Sequence, residues 1–174
     1  HNIGRRKGDK QSSYKKVKWD SSAPGKDYFD ELFRISQNQI IWGANHFISR
    51  IPIDSQCWIV WDKMFSEDVS FASVELAWTS FDSASKRFQL SSNQNNANEK
   101  RIHPTQKPVA LYKWLLTKYA KEGDKILDTH VGSASSLIAC MEYGFDFVGF
   151  EIDIDYYKSA TERMKAHGAQ VRFA

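Results

Sequence analysis

The chain has 174 residues, 41% of them hydrophobic, which is long enough for one compact domain with a real core and short for two. No run of about eighteen apolar residues occurs and no charged-then-apolar leader opens the chain, which argues against a membrane span or a secretory signal and for a cytosolic protein. The formal charge of +3 hides an asymmetry: Arg5, Arg6, Lys7, Lys10, Lys15, Lys16 and Lys18 stand against Asp9 alone, so residues 1–18 carry +6 and the rest −3.

A basic segment on a mildly acidic body suits an arm that neutralises phosphates, although a solvated terminus has the same charge pattern. Pro24 and Gly25 then make a turn. Tyr28, Phe29, Leu32, Phe33 and Ile35 follow at spacings that predict a helix from about Asp27 to Ser36. Gln39 to Gly43 reads as a short strand buried on both faces, and Trp58 to Trp61 as another, with a helix-like stretch around Phe47 to Arg50 and a break at Pro52 between them. Further strands are expected over Glu75 to Phe81 and Arg87 to Leu90. Ser91 to Asn98 is a polar tract and reads as a loop. Six Trp and a 14% aromatic fraction suit either a generous core or faces that stack on bases. Cys57 and Cys140 lie in separate apolar segments with no second thiol or His at ligand spacing, so they read as buried free thiols and no metal site is expected.

The second half is patterned more strongly. Pro108 to Lys121 places Val109, Tyr112, Leu115, Leu116 and Tyr119 on one helical face, with a proline in its first turn and Gly123 beyond its end. Lys125 to Asp128 is a strand ending in an acid. Gly132-Ser133-Ala134-Ser135-Ser136 turns the chain into a helix through Met141. Phe147 to Glu151 is the next strand, again ending in an acid, and a last helix runs from about Ile154 to His167. Strand, small-residue turn, helix, strand is a βαβ unit, so the expected fold class is α/β with a Rossmann-like, doubly wound sheet.

A Gly/Ser turn at the carboxyl end of such a strand lets a ligand approach the backbone, and an acid closing the next strand, here Glu151, can accept both hydroxyls of an adenosine ribose. Any adenosine cofactor fits that description, and so does an ordinary helix cap. Two details lean away from NAD. The turn has one glycine where a pyrophosphate cradle wants G-x-G-x-x-G, and Asp128 would repel a diphosphate but attract the ammonium of a methionine moiety.

His103-Pro104-Thr105-Gln106-Lys107-Pro108, followed by Lys125 to Asp128 and by Phe147 to Asp153, resembles the β-class of DNA amino-methyltransferases, which modify adenine N6 or cytosine N4. The likeness extends more weakly to Asn38–Gly43 with Asn45 and to Trp58–Lys63. It implies S-adenosyl-L-methionine as cofactor, held by Thr105, Gln106, Lys107, Asp128, His130, Gly132 and Ser133, with Glu151 on the ribose and Asp153 beside the adenine. It also implies methyl transfer in double-stranded DNA with base flipping, adenine being the preferred base and cytosine the alternative. Arg5, Arg6, Lys7, Lys10, Lys15 and Lys16 become the DNA-contact candidates, residues 64–102 a target-recognition insertion, and residues 103–174 the cofactor part of a single methyltransferase domain. A homodimer and a cognate restriction enzyme are the further candidate partners, in a bacterial or phage setting.

Two departures stand out. The family turn reads D-P-F-x-G-S-G, whereas Thr129 and His130 replace its proline and aromatic here. The Asp-Pro-Pro-Tyr-like tetrapeptide that binds the target amine does not occur among the four prolines, so it is expected upstream of His1 and the catalytic residues are not identified in this chain. A module that binds cofactor or DNA without catalysis, and an NAD-dependent oxidoreductase fragment, are the competing readings.

Overall fold

The computed structural model describes residues 23–65, 72–91 and 100–171. The basic arm over residues 1–18 and most of the polar tract lie outside them. In chain order the elements are α1 (Lys26–Ile35), β1 (Ile40–Trp42), two short 3-10 turns (Ala44–His46 and Ile48–Arg50), β2 (Trp58–Asp62), β3 (Val74–Thr79), β4 (Lys86–Gln89), α2 (Val109–Tyr119), β5 (Lys125–Asp128), α3 (Ser135–Tyr143), β6 (Asp146–Gly149) and α4 (Ile154–Val171). Each expected element is present near its expected place.

The strands pair in two sheets, one ordered β1-β3-β2-β4 and one of β5 and β6. β5 and β6 are parallel, as the βαβ pattern requires, and so are β2 and β4, whereas β3 runs antiparallel to both β1 and β2. Alternation along β2 and β3 sends side chains to two layers. Ile59, Trp61 and Ala77 pack with Leu111 and Leu115 of α2 on one face, while Trp78 packs with Phe29 of α1, Ala44 and Ile51 on the other. β1 is half-buried along its length rather than enclosed on both faces, because it forms one edge of its sheet.

α2 is buried more widely than a single stripe. Leu111 is fully buried, and Val109 and Leu116 join Ile138, Ala139 and Cys140 of α3, so one side of α2 meets the four-stranded sheet and another meets α3. Tyr112 touches both clusters, and burial pushes its hydroxyl pKa upward. Cys57 and Cys140 are buried free thiols, and burial raises Cys140 to about 11, which keeps it unreactive. Residues 64–102 supply β3 and β4, so much of that stretch is part of the sheet. No helix among the described residues is long and apolar enough to cross a membrane.

Candidate functional site

β5 and β6 leave their sheet at the same edge, with Asp128 opposite Gly149. Two backbone bonds stitch the exits together: Phe150 N–H donates to the Asp128 carbonyl (2.9 Å) and Val131 N–H to the Phe150 carbonyl (3.0 Å). The two strand-end acids organise the loops at these exits. Asp128 accepts the His130 N–H at Oδ1 (2.9 Å) and the Ser136 hydroxyl at Oδ2. Glu151 accepts the Gly132 N–H at Oε2 (2.8 Å) and the Asp153 N–H at Oε1 (2.9 Å). Charge-assisted bonds of this kind are about twice as strong as neutral ones, so both carboxylates are held in place. Each carboxylate offers about four lone-pair sites, so both keep acceptor capacity for a ligand.

The turn between β5 and α3 is shaped by backbone conformation. Gly132 and Ala134 both have positive φ, +54° and +63°. Glycine adopts this region freely, whereas at Ala134 the left-handed conformation costs roughly 1–2 kcal/mol. Arg163 of α4 holds the turn from the opposite side, donating from Nη1 to the Ser133 carbonyl (2.6 Å) and the Ser135 hydroxyl (2.9 Å). A Cβ on Gly132 would stand 3.4 Å from the His103 ring, so the bare glycine lets the His103–Pro108 segment lie against the turn. His103 is buried, its ring edge-on to Tyr156 at 4.3 Å between centroids. Desolvation lowers its pKa despite the opposing charge of Glu151.

Asp128, His130, Gly132, Ser133, Glu151 and Asp153 therefore come together at the exits of β5 and β6. Asp153 uses its carboxylate to cap α4, accepting the Asp155 N–H (2.9 Å) and the Tyr156 N–H (3.3 Å). The side chains of Thr105, Gln106 and Lys107 are engaged within the protein. Thr105 Oγ1 lies 3.1 Å from His103 Nδ1. Gln106 accepts the Ile102 N–H (2.9 Å) and donates to the Lys100 carbonyl (3.3 Å). Lys107 pairs with Glu75 at 3.0 Å and lies over the Trp42 ring at 5.3 Å; Lys63 pairs with the same carboxylate at 2.7 Å. Burial opposes ionisation of Glu75, but Lys107 and Lys63 outweigh it and hold the carboxyl below its usual range.

Sequence reading missed His103, Ser136, Arg163 and Glu75. Ser136 had a signal, since it opens the helix after the turn; Arg163 and Glu75 had none, because their partners are distant in sequence. Beside the turn, a groove of about 770 Å³ is lined by Val131, Leu137, Phe147, Gly149, Glu151 and Ala160 among others. A Cβ at Gly149 would stand 2.5 Å from Val131 Cγ2 and 2.7 Å from Leu137 Cδ1, so glycine is required for β6 to pass under the turn.

This fold is that of the Rossmann-like methyltransferases. M1.HpyAVI, solved as a complex with SAM, superposes with a TM-score of 0.55 at 22% identity, covering 72% of this chain and 73% of the other. TTHA0409 of Thermus thermophilus, named a DNA modification methylase, gives 0.59 at 17% identity over 82% of this chain and 77% of the other. Residues 5–162 match the N6_N4_Mtase family model, described as DNA methylase, and the chain belongs to that family. Among curated relatives, the Type II methyltransferase M2.DpnII of Streptococcus pneumoniae is 39% identical over 64 residues, 37% of this chain and 24% of that protein. The DNA adenine methyltransferase YhdJ of Escherichia coli (strain K12) is 36% identical over 67 residues, 38% of this chain and 23% of that protein. The matched segments thus span about a quarter of these relatives.

Proposed function

We propose that the protein is an S-adenosyl-L-methionine-dependent DNA methyltransferase that modifies an exocyclic amine in double-stranded DNA, adenine N6 in preference to cytosine N4. The observation that carries this reading is the pair of strand-end carboxylates, each fixed by two hydrogen bonds yet holding unused lone pairs on either side of a positive-φ turn. This donor set suits a ligand with an ammonium at one end and a ribose diol at the other, and it suits a diphosphate poorly. The adenine-specific name of one relative supports the choice of base.

In this reading Asp128 receives the cofactor's ammonium, Glu151 takes the ribose hydroxyls, and the turn amides and Ser133 approach its methionine end. His103 and Thr105 support the turn from the adjoining segment, and Asp153 acts mainly by fixing the start of α4 beside the adenine side of the groove. Lys107 contributes through its ion pair with Glu75. When bound, the cofactor supplies an electrophilic methyl group. The amine to be methylated is a weak nucleophile, its lone pair delocalised into the base, so acceptors must orient it in line with that methyl. An Asp-Pro-Pro-Tyr-like segment upstream of residue 1 would supply those acceptors and a platform for the flipped base. Arg5, Arg6, Lys7, Lys10, Lys15 and Lys16 would contact phosphates, and residues 64–102 would contribute to target recognition. A bacterial or phage cytoplasmic setting, a homodimer and a cognate restriction enzyme complete the proposal.

The test is methylation of defined duplexes by the full-length gene product, with mass analysis of the modified base and calorimetry of this chain against S-adenosylhomocysteine and NAD. N6-methyladenine with S-adenosylhomocysteine binding is expected. N4-methylcytosine would move the substrate base. Cofactor binding without methyl transfer would make the protein a binding module, and tight binding of NAD alone would refute the reading.

A further inference from the structure

Thr129 and His130 stand where the family turn has proline and an aromatic, and both are tied to a helix far away in sequence. The Tyr28 hydroxyl of α1 lies 2.7 Å from Thr129 Oγ1, and Thr129 Oγ1 lies 3.0 Å from His130 Nδ1. Tyr28 also meets the His130 ring edge-on, 5.6 Å between centroids. The backbone N–H of His130 is held separately by Asp128. The imidazole is thus fixed at one nitrogen while the residue as a whole stays exposed.

The direction of this chain of bonds follows from counting protons. Burial raises the Tyr28 pKa and the Asp128 charge adds to the effect, so the phenol keeps its proton. Among the described residues the Tyr28 hydroxyl is bonded to Thr129 alone, so its proton goes to Thr129 Oγ1. A hydroxyl has one proton to give, and with Tyr28 donating, that of Thr129 is directed to His130 Nδ1. A neutral imidazole that accepts at Nδ1 carries its proton at Nε2.

We infer that Tyr28 is a positioning residue: through Thr129 it selects the His130 tautomer that presents an Nε2–H donor at the β5 exit, where the cofactor's carboxylate would accept it. This rests on the proposed cofactor reading, but the tautomer itself is a property of the free protein. A proline and an aromatic at 129 and 130 could offer neither the relay nor the donor. The substitution pair therefore reads as one device completed by Tyr28.

The experiment is long-range ¹H–¹⁵N correlation of the His130 imidazole in the free protein at about pH 8.5, where imidazoles are generally neutral. It is run on the wild type, Y28F and T129V, with calorimetry of S-adenosylhomocysteine on each. The wild type should show the Nε2–H form, and both variants a redistribution toward Nδ1–H. The cofactor product should bind each variant about three- to tenfold more weakly, the loss of roughly one hydrogen bond. Unchanged tautomer populations in both variants overturn the relay. Redistribution without loss of affinity overturns the donor's assignment to the cofactor. Failure of the wild type to bind S-adenosylhomocysteine removes the cofactor reading while leaving the tautomer result to stand or fall alone. T129V keeps the Tyr28 ring packing, and matched thermal melts of the two variants exclude misfolding.

Discussion

Gly149→Ala probes whether packing beneath the turn holds the site. The backbone there lies outside the left-handed region, so an added Cβ acts through space alone. That Cβ would stand 2.5 Å from Val131 Cγ2 and 2.7 Å from Leu137 Cδ1, whereas carbon atoms pack at about 3.5–4.0 Å. Both neighbours must therefore retreat by about 1 Å. Leu137 is buried against Ala134 and Ala160, and the Val131 amide is tied to Phe150, so neither is free to move. Overpacking of this kind costs about 1–3 kcal/mol. At about 2–4 °C per kcal/mol for a domain of this size, the midpoint should fall by about 2–12 °C in a thermal melt followed by circular dichroism. Val131 adjoins Gly132, so S-adenosylhomocysteine affinity should fall as well. Adding Val131→Ala removes one of the two collisions, and the double variant should recover part of the loss, a coupling of about 0.5–3 kcal/mol. A Gly149→Ala protein within about 0.5 kcal/mol of wild type and binding with unchanged affinity would refute the packing argument.

Other outcomes follow from the same geometry. Glu151→Gln replaces one acceptor oxygen with an amide that faces a backbone N–H, so the loss of a charge-assisted bond, about 1.5–3 kcal/mol, should weaken S-adenosylhomocysteine binding at least tenfold by calorimetry; equal affinity would show that the carboxylate is not needed. Asp128→Ala removes the acceptor of both His130 N–H and Ser136 and should abolish that binding. His103 has a lowered pKa in the folded state, so the unfolded chain binds its proton first as pH falls. Its stabilising contribution is therefore complete above about pH 6.5 and is lost below it. Denaturant unfolding between about pH 7 and 5 should show His103→Asn losing less stability than wild type over that window; parallel losses would exclude His103 as the source. Glu75→Gln leaves Lys63 and Lys107 without their shared counter-charge, and should cost about 1–2 kcal/mol in urea unfolding, between the values for exposed and buried pairs.

The β5–α3–β6 unit and its two acids were legible because each depends on residues close in sequence: an apolar run, a small-residue turn and an acid at the strand end. β3 was legible as a strand but not as an antiparallel one, since side-chain alternation along a strand is the same in either direction. Leu111 escaped the helical stripe because α2 is covered on two sides, which widens its apolar face beyond a single periodic row. Within the His103–Pro108 segment, residue identities suggested ligand contacts, yet Gln106 and Lys107 turn to partners on Ile102 and Glu75. A polar side chain carries no mark of which partner it will find once the chain is folded. The basic arm, Arg5 to Lys16, lies outside the described residues, and its assignment to DNA remains a matter for the binding assay.

The placement of α2 also bears on how the molecule comes apart. One helix supplies core side chains to the layer holding Ile59 and Trp61 and to the layer holding Ile138 and Ala139. Neither half can shed its helix without stripping the other, so the two are expected to open as a single cooperative unit rather than as separate foldons. Amide hydrogens in the middle of α2 should then exchange only through global unfolding, in step with those of both sheets.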